Sequence, residues 1–548
     1  MNRPIVIFYR ALVFAFIPIV VFAFSFTPLR TSTDEWWHLK TGKWITEHGE
    51  LPENDIFAFT SENYRWDNHE WLTEVVMYEI YRWGEAREVE GVRAVIAAKS
   101  VVLVVTFALI FYLLWRRTNE WELSVLFTLI AAAVARRTFY PRPPVVTYFF
   151  VALFLLLLYA HREKRLSPYW LGVLAPLMTL WANLHGGFIL GLVVLGLFLA
   201  GELIELIYFK FLSDSSLEIE GRGLWRHVGL YGILFVLCFV FSLLTPYGFR
   251  LYQLTYRVMH DTALVRVIGE LLPPDVRYVW AYLTLIAFFV VAGPASRRKL
   301  FPAEALLFLF FFWQSSQHVR HLPLFALVTA APAAWLATGL LELIPGGLRC
   351  WMRSGVAILV AALSMWWMTH HRERDSYVDR NAQLFDGREY TDADYPREMC
   401  DFIIEMDIPG RMFNQGNYSG YLIWRLSPET KKVFTDNRYD IFGSDFVWDE
   451  LAIADGDEGD KNRASWAGLL DKYDINFIVI PRSAGLVERL RGNENWTRVY
   501  YWIPEGRDPR REGFAIYIRN TAQNQEAIAR CLKRFDVIRQ RRGYPAEF

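Results

Sequence analysis

An acidic pair, Asp34-Glu35, stands in the stretch Thr33-Asp34-Glu35-Trp36-Trp37-His38-Leu39, directly after the first long apolar run. A carboxylate is costly to place in hydrocarbon, so one held at the water-facing end of a membrane helix is a candidate base or ligand. The competing reading is a solvated acid that opens a helix and interacts with its dipole. A cationic group comes next: Arg136, Arg137 and Arg142 crowd one short loop. Guanidinium groups at that density suit a phosphate or an anionic lipid headgroup, with interfacial snorkelling as the alternative. Further polar residues fall in short connections: Asn183-Leu184-His185-Gly186-Gly187, Glu270 ahead of Pro273-Pro274, and Gln317-His318-Val319-Arg320-His321. Each histidine alone reads as a cap or a packing residue. With the acids and arginines on one membrane face, they make a site for an anionic amphiphile.

The elements that must hold these groups follow from composition. Of 548 residues, 53% are hydrophobic and 16% aromatic, and the mean hydropathy of +0.17 is too high for an ordinary soluble enzyme. The formal net charge is zero, which gives no ground for nucleic-acid binding. Runs of spanning length, about 20 residues each, fill the first two-thirds of the chain. Hydropathy predicts about eleven spans, near 5–28, 92–115, 120–135, 144–160, 168–183, 187–209, 227–245, 277–293, 301–317, 322–343 and 352–370. The first is long and lacks a small-residue cleavage site, so it reads as an anchor. Arg116-Arg117, His161 to Arg165, Arg297 to Lys299, and Arg349 with Arg353 mark the cytoplasmic side. The amino terminus is then cytoplasmic, loop 29–91 and segment 371–548 are extracytoplasmic, and the arginine loop 136–142 breaks the charge rule.

The expected architecture is a polytopic α-helical membrane protein: a transmembrane module over residues 1–370 that includes loop 29–91, then an extracytoplasmic α/β domain over 371–548. In the loop, Trp36, Leu39, Trp44 and Ile45 approximate one helical face that ends at Gly49 and Pro52. Trp71, Leu72, Val75, Val76, Tyr78 and Tyr81 approximate a second. Both read as interfacial helices flanking a polar pocket that holds Asp55, Trp66, Asn68, His69 and Glu70. In the last third, strands are expected near 411–414, 432–435, 477–480, 496–502 and 514–518, with a helix near 421–426, a pattern that favours βαβ units. Cys400 and Cys531 permit one disulfide in an oxidising compartment. No Cys/His cluster has zinc spacing, and no glycine-rich phosphate loop argues for a nucleotide-driven pump.

Asp34 to Gly42, Gly49-Glu50-Leu51-Pro52, Asp55-Ile56-Phe57, and Trp66 with His69 to Leu72 resemble bacterial polytopic membrane proteins of the type C glycosyltransferase superfamily. Trp181 to Phe188, Pro246-Tyr247-Gly248, Phe413-Asn414 to Trp424, and Val433-Phe434-Thr435-Asp436-Asn437-Arg438 continue that resemblance over nearly the whole chain. The resemblance implies an enzyme that takes a sugar from a polyprenyl-phosphate carrier and transfers it to a glycan, lipid or protein acceptor on the outer face of the bacterial inner membrane. It implies a carboxylate in the first outer loop as base; Asp34 matches that position and Glu35 is its neighbour. By location, Arg136, Arg137, Arg142 and Arg320, with His318 and His321, are candidates for the lipid phosphate. His38, Asp55, His69, His185 and Glu270 are candidates for the acceptor pocket. The chain departs from the pattern at Asp436-Asn437-Arg438, where Asp-Gly-Arg is expected, and lacks a clear metal-binding acid pair, which leaves a divalent ion (Mg2+ or Mn2+) an open requirement. Two other functions compete: a transporter or flippase of a lipid-linked glycan, and a non-catalytic membrane scaffold. Lys99, Glu202 and Glu205 are the notable charges inside helices that a transporter would use.

Overall fold

The computed structural model describes residues 3–26, 34–212, 218–260, 269–275, 280–346, 348–349, 351–352, 355–356, 362, 396–439, 441–460, 463–503 and 513–544. The first two-thirds hold α1 (Arg3–Ser25), α2 (Glu35–His48), α3 (Trp71–Glu85), α4 (Gly91–Thr118), α5 (Trp121–Ala135), α6 (Pro144–Arg162), α7 (Pro168–Leu171) and α8 (Leu174–Leu184). They continue with α9 (Ile189–Leu212), α10 (Glu218–Ser242), α11 (Arg250–His260), α12 (Trp280–Ala295), α13 (Pro302–Gln317) and α14 (Leu322–Leu341). The last third runs α15 (Arg397–Met406), β1 (Arg411–Phe413), α16 (Ser419–Leu426), α17 (Ser444–Asp455), α18 (Trp466–Lys472), β2 (Ile475–Pro481), α19 (Gly485–Leu490), β3 (Trp496–Trp502), β4 (Phe514–Arg519) and α20 (Gln525–Arg542). The chain forms two compact units: Met1–Pro28 with His69–Phe385, and Leu29–Asn68 with Asp386–Phe548. Residues 29–68 therefore cluster with the C-terminal segment and not with the membrane module to which loop 29–91 was allotted; the expected boundary at 370/371 lies outside the described residues.

The first unit is a helical bundle. Among the described residues six helices are long and apolar enough to cross a membrane, and α5 and α12 are apolar but shorter, so this is a multi-pass membrane protein. Ile5, Phe8 and Leu12 on α1 and Ile233, Val236 and Val240 on α10 are exposed, as side chains solvated by lipid must be. By contrast α14 is buried along nearly its whole length and packs on α4, α5, α6, α12 and α13. The span expected near 168–183 is broken at Gly172 and Val173 into α7 and α8, and that near 352–370 lies largely outside the described residues.

Charges within the bundle are tied into its framework. Glu304, fully buried, accepts from Arg117 at 2.7 Å and from the Tyr159 hydroxyl at 3.1 Å. Glu202 and Glu205 pair with Arg162, the last residue of α6. Lys99 donates to the Ser25 carbonyl, the last residue of α1, and to the Phe139 carbonyl at 2.9 Å. A lysine buried this way caps a helix C-terminus and fixes the arginine loop. None of these three is the loose intramembrane charge that a transporter would move.

The second unit is a four-stranded sheet ordered β1-β2-β4-β3, with β1 parallel to β2 and the other pairs antiparallel. Its β1-to-β2 crossover carries α16, α17 and α18, so one βαβ unit is present as expected. The strand expected near 432–435 does not form. Val433 makes a single bridge to Ala58, and the Asn414 side chain holds Phe434 and Thr435. Cys400 and Cys531 are buried free thiols, not a disulfide.

Helix α2 also differs from expectation. It is not interfacial: Glu35 to Gly42 and Ile45 are all buried, because the helix sits in the core of the sheet unit. Trp36 packs on Tyr421 and Trp424 at 5.3 and 5.6 Å between ring centroids, and Lys40 pairs with Glu429 at 2.8 Å. Gly49, at φ +71°, ends it with its N–H on the Ile45 carbonyl, a left-handed turn that glycine adopts without strain.

Beneath α2 lies a buried ion triad. Arg438 donates to Asp55 at 2.7 Å and to Asp436 at 2.5 Å, and its guanidinium stacks 4.5 Å from the Trp66 ring centre. Asp55 also accepts from Phe57 N, Ala58 N and the Ser61 hydroxyl. Replacing Arg438 with Leu leaves two buried carboxylates uncompensated, at an expected cost of about 3–5 kcal/mol. We expect Arg438→Leu to lose the folded sheet unit, seen as rapid limited proteolysis of residues 396–544 in purified protein. Wild-type protease resistance would refute the triad's structural role.

Candidate functional site

Asp34 stands at the N-cap position of α2 but makes no side-chain cap. Its backbone is helical (φ −77°, ψ −10°), outside the extended geometry that capping needs. The carboxylate instead accepts from Asn437 Nδ2 at 3.0 Å. The solvated cap reading therefore fails: Asp34 is half-buried and aimed by a long-range contact. Asn437 is fixed in turn by its neighbours Asp436 and Arg438, both members of the buried triad. Glu35 and His38 are buried within α2, and Asp55 belongs to the triad.

Around Asn437 the sheet unit gathers three more groups. Gly416 donates its N–H to Glu450 at 2.8 Å. The hydroxyl of Tyr439 and Oδ1 of Asn437 each lie 3.3 Å from where a Cβ on Gly416 would stand. Burial pushes the Tyr439 phenol up, helped by the charges of Glu450, Asp34 and Asp436, so it stays a neutral donor. Burial likewise pushes Glu450 up to about 7; the Gly416 N–H opposes this and Asp436 adds to it.

In the bundle unit a second polar cluster forms where α3 meets the turn between α8 and α9. Trp71 Nε1 donates to Asn183 at 3.2 Å, Thr73 donates to the Leu184 carbonyl at 2.5 Å, and His185 Nε2 lies 3.2 Å from Glu70. The Gly187 N–H donates to His185 Nδ1 at 2.9 Å. Nδ1 is therefore an acceptor and the proton sits on Nε2, facing the Glu70 carboxylate. Thr147 Oγ1 is 2.7 Å from the same Nδ1 and accepts from Trp181 Nε1 at 3.1 Å. Burial holds His185 below its ordinary pKa, although Glu70 opposes it. Two glycines are required here. A Cβ on Gly186 would meet the His69 ring at 2.8 Å, and one on Gly187 would strike Thr147 Oγ1.

The same end of the bundle carries the expected cations. Arg142 pairs with Glu270 at 3.1 Å. His318 Nδ1 bonds the Leu271 carbonyl at 2.6 Å, and the Val319 N–H donates to the Leu272 carbonyl, so segment 269–272 is pinned to segment 318–321. Arg320, half-buried, makes no hydrogen bond or ion pair among the described residues, and its charge reaches both His185 and Tyr148. His321 lies beside it. Arg136 is half-buried in the loop that Lys99 holds, and the Arg137 side chain lies outside the described residues.

No protein-family model and no curated protein matches this chain. Solved structures do. The archaeal oligosaccharyltransferase AglB from Archaeoglobus fulgidus, in complex with an inhibitory peptide and a dolichol-phosphate, aligns with TM-score 0.56 at 11% identity, over 87% of this chain and 69% of that one. The apo form of the Archaeoglobus fulgidus oligosaccharyltransferase aligns at 0.55 and 11% identity, over 87% of this chain and 70% of that one. This chain has the type C glycosyltransferase fold. ArnT from Cupriavidus metallidurans, bound to undecaprenyl phosphate, aligns at 0.49 and 12% identity, over 92% of this chain and 97% of that one.

Within this fold, sequence reading missed Asn437, Tyr439, Glu450 and Thr147 as site residues, and placed Glu70 in a polar pocket without giving it a role. The departure at Asn437 was the one usable signal: a side chain where glycine is expected must go somewhere, and this one goes to Asp34.

Glu450 yields a sign-definite pH effect. Its folded pKa, about 7, lies above the ordinary carboxylate value of 4.5. The stability it contributes is full below the unfolded value and is lost as pH rises through about 7, up to about 3 kcal/mol in all. Glu450→Gln keeps an acceptor for the Gly416 N–H without titrating. We expect it to flatten the pH 5–8 dependence of thermal unfolding of the sheet unit and to raise its midpoint at pH 8. A slope unchanged from wild type counts against this assignment.

Proposed function

We propose that this protein is a membrane glycosyltransferase that moves a sugar from a polyprenyl-phosphate donor to an acceptor hydroxyl on the extracytoplasmic face of the bacterial inner membrane. The observation that carries the reading is the Asp34 carboxylate, turned away from its own helix and held by Asn437. In the step, Asp34 accepts the proton of the acceptor O–H. The acceptor oxygen bonds to the anomeric carbon as the bond from that carbon to the phosphate oxygen breaks. The electron pair leaves on the phosphate, and polyprenyl phosphate is released.

Positive charge on the leaving phosphate stabilises that transition state. Arg320 suits this role, since no carboxylate among the described residues neutralises it; Arg142 is partly offset by Glu270. Arg136 and His318 belong to the same polar end. A divalent ion, where the reaction uses one, would be held by Glu70, at the N-cap position of α3, and Glu74, in its first turn, whose carboxylate oxygens lie within 4.8 Å of each other. It would supply Lewis-acid stabilisation of the phosphate.

Asp34→Asn, expressed in cells at the wild-type level, is expected to accumulate one polyprenyl-phosphate sugar and to abolish one surface glycan decoration, both read by mass spectrometry. Arg320→Gln is expected to slow transfer roughly 100-fold or more, by analogy with loss of one oxyanion-type donor. Lipid and glycan profiles that match wild type in both variants, while a deletion alters them, would sink the transferase reading.

A further inference from the structure

At the end of the bundle away from the candidate site, one carboxylate oxygen opens onto an apolar groove. Helix α9 leaves the His185 turn at Ile189 and reaches Glu205 after 16 residues, about 24 Å of helix. There Arg162, the last residue of α6, meets two acids. One guanidinium serves both. Its Nη1 pairs with Glu202, which is fully buried and also lies 3.4 Å from His227 Nδ1. Its Nη2 pairs with Oε1 of Glu205. With His227 neutral, this group holds one negative charge in excess. Oε2 of Glu205 takes no hydrogen bond among the described residues, and 25% of the side chain is exposed.

That side chain is the one charged wall of a cavity of about 380 Å3, lined otherwise by Ile204, Tyr208, Phe209, Leu224 and Pro302. The volume falls in the range of small-molecule sites, about 300–1,000 Å3. The walls from α9 and α10 belong to two of the spans long and apolar enough to cross a membrane. Ile204 and Tyr208 are exposed, so the groove opens toward lipid and not into the bundle. A carboxylate oxygen in such surroundings is unfavourable unless a donor reaches it. The choice of donor is narrow. A phosphate or carboxylate group is repelled by Glu205. A hydroxyl donates but leaves the charge standing. A quaternary ammonium brings charge but has no N–H to give. A primary ammonium does both, and the aromatic walls Tyr208 and Phe209 favour a cation over their faces. The aliphatic walls suit a hydrocarbon chain joined to it. Lys210, next to Phe209, and Arg226, two residues past Leu224, are exposed and offer counter-charges to a phosphate between the two.

We propose that this groove binds a phospholipid with a primary-ammonium headgroup, whose –NH3+ donates to Glu205 Oε2 while its chain lies against Ile204, Leu224 and Pro302. The site is independent of the transferase reading: it lies at the other end of the bundle and contains none of the residues assigned to transfer.

The test is native mass spectrometry of the full chain, delipidated in detergent micelles and titrated with phosphatidylethanolamine, phosphatidylcholine or phosphatidylglycerol of identical acyl chains. Glycerophosphoethanolamine serves as the chain-free control. Glu205→Gln keeps an oxygen for Arg162 and removes the charge. Leu224→Trp fills the groove and leaves the carboxylate in place. Thermal melting checks both against wild type, and should Glu205→Gln not fold, Leu224→Trp decides alone. Wild type should bind one phosphatidylethanolamine roughly tenfold more tightly than either other lipid, the scale of one charge-assisted hydrogen bond. Glu205→Gln should bring phosphatidylethanolamine down to the phosphatidylcholine level. Leu224→Trp should abolish the tight adduct. Equal binding of the three lipids by wild type overturns the site, as does preference for phosphatidylglycerol. A phosphatidylethanolamine preference that survives in the folded variants also overturns it. So does displacement of the lipid by an equal concentration of glycerophosphoethanolamine, since the groove would then take the amine without its chain.

Discussion

The sheet unit depends on one buried cation. Arg438 lies between Asp55, from the segment after the first membrane helix, and Asp436, from the C-terminal third. Burial opposes its charge, and the two carboxylates outweigh that opposition and hold it protonated. Three aromatic rings, Trp37, Phe57 and Trp66, close over the guanidinium within 5.8 Å. That wall excludes water, which makes the pairing strong and makes it intolerant of loss. Because Asn437 is the residue between two members of this triad, the direction in which it presents its amide is inherited from the salt bridge. The reach from Asn437 to Asp34 is a consequence of the core, not an independent device.

The bundle unit solves a similar positioning problem with small residues. In the turn from Asn183 to Gly187, the missing Cβ of Gly186 makes room for His69, just ahead of α3, and that of Gly187 makes room for Thr147 on α6. Side chains then interlock at Trp71, Thr73 and Glu70, and the Gly187 N–H decides which nitrogen of His185 bears its proton. A tautomer is set here by a backbone N–H on one ring nitrogen and the Glu70 carboxylate on the other. Lys99 plays the matching part on the other side of the same end, tying the last carbonyl of α1 to the arginine loop.

What could be read from the chain divides along the range of the interactions. Apolar runs predict spans because lipid imposes length and composition residue by residue, and most of them became helices. Strand β2 was visible as a continuous apolar run stopped by Pro481, and β3 and β4 by their alternation, both of which are local signals. The stripe of Trp36, Leu39 and Ile45 showed that α2 has an apolar face but not what covers it; Tyr421 and Trp424 and a lipid surface would select the same residues. Segment 432–435 reads as a strand by content, yet its groups are claimed singly by Phe57, Ala58 and Asn414. Asp34 was legible as a placed acid. Its partner 403 positions away was not, since nothing in local spacing encodes which distant amide will arrive.

The sheet unit is assembled from two stretches separated by residues 69–385. During synthesis the first stretch emerges long before the second. At ordinary elongation rates of 5–20 residues per second, the interval is about 15–60 s. For that time Trp36, Trp37, Phe57 and Trp66 have no Tyr421, Trp424 or Arg438 to bury them, and Asp55 has no counter-ion. Maturation of this protein is therefore a problem of holding a sticky, half-built core until its complement arrives. Membrane insertion of the intervening helices is the clock that sets the wait.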